Sequence, residues 1–162
     1  MSNYMPGRTR AVSITRPSNT TAYTANDVIG AATGSTAGIQ FEHLGTAGGH
    51  VRITNSELER DVAAVISGEG NYRLHLYTVT PPSALGDNVA FDLPLGDRAS
   101  YLGYLDLGTP IDLGSTLYVQ AEQAKDVTLG LEGALFGYLV TIGAYTPASA
   151  SVCKVTLHTV SI

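Results

Sequence analysis

Four histidines and a short series of alternating carboxylates are the residues best placed to do chemistry. His43, His50, His75 and His158 are scattered, with no His-x-His pair and no His-Glu-x-x-His. A cupin-like metal site on a β-framework needs two histidines two apart, on one strand face, with a carboxylate and a third histidine. That pair is missing. Glu57, Glu59 and Asp61 alternate, so on a strand they share a face; glycoside hydrolysis draws on such paired carboxylates, and a solvated strand face or rim has the same pattern. No Gly-x-Ser-x-Gly occurs, and Gly34-Ser35-Thr36 and Gly114-Ser115-Thr116 read as turns. Asp87-Asn88 and Asp112 offer oxygens to calcium, but their place in turns accounts for them equally well. Gly45–Gly49 lacks the lysine and the strand-to-helix setting of a phosphate loop. The expectation is a protein without catalytic residues, metal or other cofactor.

Composition points the same way. The 162 residues are 44% hydrophobic and 14% charged, against about 25% charged in typical soluble domains. Such a surface must be covered by Thr, Ser, Asn and Gly, as in proteins that live against other proteins and in many secreted β-domains. The net charge of −5 argues against nucleic-acid binding, which needs clustered Lys and Arg. Met1–Asn26 carries Arg8, Arg10 and Arg16 and no acidic residue. A basic arm on an acidic body suits a tether to an acidic partner, and a frayed terminus with solvated arginines fits as well. The lone Cys153 alternates with Val155 and Leu157 and reads as a small buried hydrophobe. Met1–Arg16 has no apolar signal-type segment and no stretch is long enough to span a membrane, so synthesis in a cytosol is expected, with no membrane partner.

The elements that must position these residues are strands. Tyr72, Leu74 and Leu76 alternate with Arg73, His75 and Tyr77, the pattern of a half-buried strand. Pro81-Pro82 stops it, Leu85–Asn88 turns, and Phe91, Leu93 and Leu95 are expected to return to the core before a strand at Tyr101–Leu107. Earlier, Val12 and Ile14 mark a first strand, Tyr23–Ile29 a second, Ile39 and Phe41 a third, and Val51 and Ile53 face inward on a fourth. Asn55–Ile66 fits either a capped helix or more sheet, with strand preferred. Leu117–Glu122 and Val127–Glu132 alternate, with Gln123–Asp126 as a hairpin connection. Leu135–Ala144 is apolar on both sides, as in the middle of a sandwich or at a subunit contact. Val152–Val160 closes the chain. About ten short strands with long connections predict an all-β sandwich of jelly-roll or Greek-key type. The expected division is an N-terminal arm over residues 1–11 and one sandwich domain over 12–162.

Nine tyrosines, three phenylalanines and no tryptophan fit either a protein interface or, less well, a sugar-stacking surface, with Tyr4, Tyr23, Tyr77, Tyr104, Tyr118 and Tyr145 as candidates for exposure. Val12-Ser13-Ile14-Thr15-Arg16-Pro17, then Thr20–Tyr23 and Asp27–Gly30, resembles the N-terminal pattern of small tailed-bacteriophage virion proteins. Arg73–Tyr77, Asp87–Leu93 and Tyr101-Leu102-Gly103 resemble the middle of the same group, some of which are capsid decoration, or cement, proteins with a jelly-roll fold. These motifs are structural and carry no chemistry; Gly108–Ile162 matches only in general character. The resemblance implies a homotrimer on the outer capsid surface, bound to the major capsid protein, with Tyr4, Arg8, Arg10 and Arg16 at capsid or subunit contacts. A tail or receptor/glycan-binding module shares these features, and a hydrolase acting through Glu57, Glu59 or Asp61 stands third.

Overall fold

The computed structural model describes residues 6–31 and 38–162. Among the described residues ten strands run in chain order: β1 (Gly7–Thr15), β2 (Val28–Ile29), β3 (Ile39–Phe41), β4 (His50–Arg60), β5 (Tyr72–Tyr77), β6 (Tyr101–Gly108), β7 (Ile111–Asp112), β8 (Leu117–Thr128), β9 (Leu135–Thr141) and β10 (Val152–Ser161). The pairing is nested. β1 lies antiparallel to β10, β2 and β3 to β9, β4 to β8, and β5 to β6. The chain is thus doubled back on itself with β5–β6 at the closed end, and the double ribbon is wound into two sheets. Their orders are β1-β10-β4-β8-β7 and β2-β9-β5-β6, with β3 also on β9. This is the jelly-roll form of the all-β sandwich.

Alternation explains what faces the core. On β4, Val51 and Ile53 point inward, then Ser56, Leu58 and Arg60 do, so the phase changes once. Thr54 is the residue where it changes: the register of β4 slips against both β10 and β8 beside it. A bulge of this kind re-aims the strand and keeps apolar residues inward on both sides of it. Cys153, Val155 and Leu157 of β10 join Ile14, Ile53, Leu58, Leu74 and Leu139 in the core between the sheets. Cys153 is the buried hydrophobe its alternation predicts, and burial pushes its thiol pKa up.

Several expectations need correction. The irregular arm expected over residues 1–11 is strand from Gly7 onward, because β10 offers ladder partners as far as Val160, opposite Gly7. Residues 1–5 lie outside the described residues. The hairpin expected at Gln123–Asp126 is absent: β8 runs unbroken through it opposite β4, and these residues include no glycine or proline to turn on. Only Val28–Ile29 of the second expected strand is strand. In Asn55–Ile66, strand ends at Arg60.

The outer face of the second sheet departs most from a simple sandwich. Arg73, His75 and Tyr77 were expected to face solvent, yet His75 and Tyr77 are buried. The chain between β5 and β6 crosses this face, and its Leu85, Phe91 and Leu93 pack with Val28, Tyr77, Tyr138 and Val140 in a second apolar cluster. Leu95 does not return to any core; it is 78% exposed. β9, apolar on both sides, is the strand between these two clusters, so both faces are covered within one chain.

Gly137 of β9 sits where a Cβ would come within 2.5 Å of the His75 carbonyl oxygen on β5. Gly137→Ala is expected to lower unfolding free energy by about 1–3 kcal/mol, as overpacking a sheet interior does. Urea titration with an unchanged midpoint would contradict this packing.

Candidate functional site

Two arginines occupy core positions. Arg16 follows the buried Ile14 by two residues, and Arg60 follows the buried Leu58 by two, so strand alternation turns both side chains inward at the same end of the sandwich. Each meets a carboxylate from a loop. Arg16 Nη2 lies 3.4 Å from Asp87 Oδ2, and its Nε donates to Tyr23 Oη. Tyr23 Oη donates to Asp87 Oδ1 at 2.5 Å, and the Gly30 amide donates to the same oxygen at 3.0 Å. Arg16 Nη1 also donates to the Ala148 carbonyl at 3.0 Å. In the second pair, Arg60 Nη1 donates to Glu69 Oε1, and Tyr72 Oη donates to that oxygen at 2.6 Å. Tyr145 joins the two pairs, its ring 5.4 Å from that of Tyr23 and its hydroxyl 3.2 Å from Tyr72 Oη.

The electrostatics follow from burial. Desolvation, then acceptance of its proton by Asp87, pushes the Tyr23 pKa far above the ordinary tyrosine value. Burial also raises Tyr72, and lifts Tyr145 to about 12 against the opposing pull of Arg60. These phenols are therefore neutral at any ordinary pH. Both acids are held by arginine and tyrosine, and the cluster joins loops; Arg60 Nε and Nη2 are buried without a hydrogen-bond partner, and Arg60 lines a hollow with Glu59, Asp61 and Lys154.

The residues expected at capsid or subunit contacts separate. Tyr4 lies outside the described residues. Arg8 is exposed on β1, and Arg10 is half-buried, its Nε donating to the Glu42 carbonyl at 2.9 Å. Arg16 is 2% exposed and committed to Asp87 and Tyr23, so it is not presented to a partner. Strand parity was the signal for this: Arg16 shares the inward phase of Ile14.

The carboxylates expected on one face do share it, but are engaged with the neighbouring strand. Glu59 pairs with Lys154, and Glu57 Oε1 lies 3.2 Å from His158 Nε2. Asp61, past the end of β4, accepts from the Val152 amide at 2.5 Å. The histidines remain apart, and among the described residues no three His, Cys, Asp or Glu side chains converge as metal ligands. Asp87 belongs to the buried cluster, while Asp112 Oδ1 accepts from the Gly114 amide at 2.7 Å in its turn. Gly34-Ser35-Thr36 lies outside the described residues. Of the tyrosines expected on the surface, Tyr23, Tyr77 and Tyr145 are buried, Tyr118 is half-buried and Tyr104 is 46% exposed.

The surface carries a polar hollow of about 220 Å³, with Glu59, Arg60, Asp61 and Lys154 in its lining, and several apolar places. A depression of about 320 Å³ is lined by Thr78, Val79, Thr80, Leu131, Glu132 and Phe136, with Leu131 92% exposed. Ile111 and Leu113 are 61% and 59% exposed at the β7 edge. A groove of about 260 Å³ runs beside β1, between Val12–Ile14 and Gly38–Gln40. Among the described residues no helix is long and apolar enough to cross a membrane.

No protein-family model matches the chain, and no curated protein does. Solved structures with a similar course include the capsid of Ralstonia phage GP4, at 12% identity and a TM-score of 0.38 over 99% of this chain and 86% of that one. The native virion of Kashmir bee virus matches at 16% identity and a TM-score of 0.28, over 96% and 73%. An arabinose-bound α-L-arabinofuranosidase matches at 13% identity and a TM-score of 0.40, over 98% of this chain and 23% of that one. Likenesses this weak carry no inference about what this chain does.

Two predictions follow from the buried polar groups. Glu69→Gln leaves the Arg60 charge without its counter-ion and is expected to cost about 3–5 kcal/mol of stability, as broken buried pairs do; a loss below about 1 kcal/mol in urea titration would contradict the pairing. His75 is stacked on Phe91 at 3.8 Å, with Nδ1 2.9 Å from Tyr101 Oη. Burial first, then the nearby Arg73, lowers its pKa to about 4. The unfolded chain takes up this proton near pH 6.5 and the folded one only near 4, so the stability is intact above 6.5 and falls as pH drops between those values. Allowing for partial solvent access, the loss is about 1–2 kcal/mol. His75→Gln should remove that part of the pH dependence; an unchanged profile would contradict it.

Proposed function

We propose that this chain is a structural protein of a bacteriophage virion: a head decoration protein that sits on the outer capsid surface, self-associates as a trimer and ties neighbouring copies of the major capsid protein together. The observation that carries this reading is an inversion of the usual surface. Arg16, Arg60, Asp87 and Glu69 are buried, whereas Leu131, Leu95, Ile111 and Leu113 are the most exposed of the large hydrophobic side chains among the described residues. In a chain only 14% charged, this is a surface suited to being covered by protein. The likeness of Val12–Pro17, Arg73–Tyr77 and Asp87–Leu93 to small phage virion proteins supplies the setting.

Within this reading the depression around Val79, Leu131 and Phe136 faces the capsid. It lies at the end of the sandwich where the chain enters β1: the Leu44 amide donates to the Gly133 carbonyl, Thr159 Oγ1 donates to the Leu44 carbonyl, and Thr159 is opposite Arg8. Arg8, exposed at that end, supplies a charge-assisted contact to an acidic capsid residue. A tail or receptor/glycan-binding module is the second reading, favoured by Tyr104, which stands exposed with the Arg73 guanidinium 4.7 Å from its ring centre.

The test is co-sedimentation of purified protein with heads that lack it, followed by imaging. Stoichiometric density on the outer head surface is expected, with Leu131→Asp weakening binding at least about tenfold, as loss of a central apolar anchor does. Absence of head binding would overturn the proposal. Glycan binding lost in Tyr104→Ala would favour the second reading.

A further inference from the structure

We propose that Thr9 is an acyl-acceptor site, its hydroxyl activated by His158 and Glu57 to take an acyl group from an ester or thioester. The inference stands apart from the decoration reading, because it concerns a covalent step on the outer face of the first sheet.

Strand alternation puts the three side chains on one face. Leu58 on β4 and Leu157 on β10 point into the core, so Glu57 and His158 point out. Ile14 is buried on β1, and the register with β10 runs unbroken from Gly7 to Thr15, so Thr9 points out as well, directly opposite His158. Thr9 is exposed, and His158 and Glu57 are half-buried. Thr9 Oγ1 lies 3.0 Å from His158 Nδ1, and His158 Nε2 lies 3.2 Å from Glu57 Oε1. Glu57 is opposite Thr156, so it reaches His158 across the diagonal.

Hydroxyl, imidazole and carboxylate in this order are what activation of a nucleophile requires. A carboxylate only accepts hydrogen bonds, so Nε2 carries the ring proton and Nδ1 keeps a lone pair for the Thr9 hydroxyl. As Oγ1 attacks the acyl carbon its proton passes to Nδ1, and Glu57 stabilises the ring cation that forms. The Oγ1–acyl bond forms as the donor's bond to its alkoxide or thiolate breaks, and the leaving group departs with the proton from Nδ1. Glu57 is thus a positioning residue that acts through His158. The sheet face is open to solvent, so it selects donors by the quality of the leaving group and not by shape. The fold supplies its own comparison. Thr128 Oγ1 lies 3.1 Å from His50 Nδ1, but among the described residues no carboxylate pairs with His50.

The experiment incubates the full chain with p-nitrophenyl acetate near neutral pH, follows intact mass, and maps each acetyl group by peptide fragmentation. Acetylation of Thr9 is expected ahead of every other hydroxyl, Thr128 and Ser13 included. Thr9→Val should abolish it at that position, and Thr9→Ser should keep it. His158→Gln is expected to slow it at least about tenfold, a modest share of what a positioned base supplies. Glu57→Gln keeps an acceptor oxygen but removes the charge, and should slow it too with the thermal transition unchanged. Acetyl groups confined to amines, equal rates at Thr9 and Thr128, or an unchanged rate in His158→Gln would each overturn the proposal. If His158→Gln loses its thermal transition, His158→Asn is read in the same way. Head binding by Thr9→Val reports on the decoration reading alone, so the two can fail separately.

Discussion

The end of the sandwich where β1 and β4 finish is organised by two buried cations. An arginine placed in a core pays a desolvation penalty of several kcal/mol unless a counter-charge and further hydrogen bonds come with it. Arg16 and Arg60 are side chains of this kind, both turned inward by strand alternation. Tyr23, Glu69 and Tyr72 lie within a dozen residues of the arginine they meet, whereas Asp87 and Tyr145 arrive from connections more than sixty residues from Arg16 and Tyr72, their respective partners. Each connection must therefore be in place before the charge it serves is tolerable. The constraint runs from the core outward: the arginines require these loop conformations, and the loops in turn close that end of the core.

The same requirement shapes the second sheet. The segment from β5 to β6 brings Asp87 to Arg16 and lays Phe91 on His75 as it crosses. Satisfying the cation and covering the aromatic face are thus two results of one chain path. With β9 covered on both sides, the sandwich buries its broad apolar strand without help from another molecule, which moves any assembly contact to loop tips and sheet edges. Those are the places where Leu131, Ile111 and Leu113 stand exposed.

Edges also need management, because an open strand edge invites unwanted pairing. β7 is two residues long, and beyond it the edge of β8 is met by β6, where Gln123 Nε2 donates to the Asp106 carbonyl at 2.9 Å. β1 differs, with nine residues, Val12 and Ile14 on its core side, and two arginines in its first half. The first sheet therefore has two unlike sides, one nearly closed and one grooved. Such asymmetry suits contacts between different surfaces better than a two-fold pairing of like ones.

Much of the architecture was legible in the chain itself. Alternation at Tyr72–Tyr77, Leu117–Glu122 and Val152–Val160 identifies strands because a pleated backbone sends successive side chains to opposite faces, and the stop at Pro81-Pro82 and the turn at Leu85–Asn88 are read from residue types. The all-β sandwich and the burial of Cys153 follow from such local rules. Which face of β5 would be covered did not, since the outer cluster depends on Phe91 arriving from elsewhere in the chain. Nor did the continuity of β8, which lies in its pairing with β4. Arg16 shows the division most clearly. Local periodicity pointed its side chain inward, but its charge read as surface because the compensating Asp87 is seventy-one residues away. Periodicity is a property of the backbone and can be read residue by residue; the neutralisation of a buried charge is a property of two distant segments, and only the folded chain brings them together.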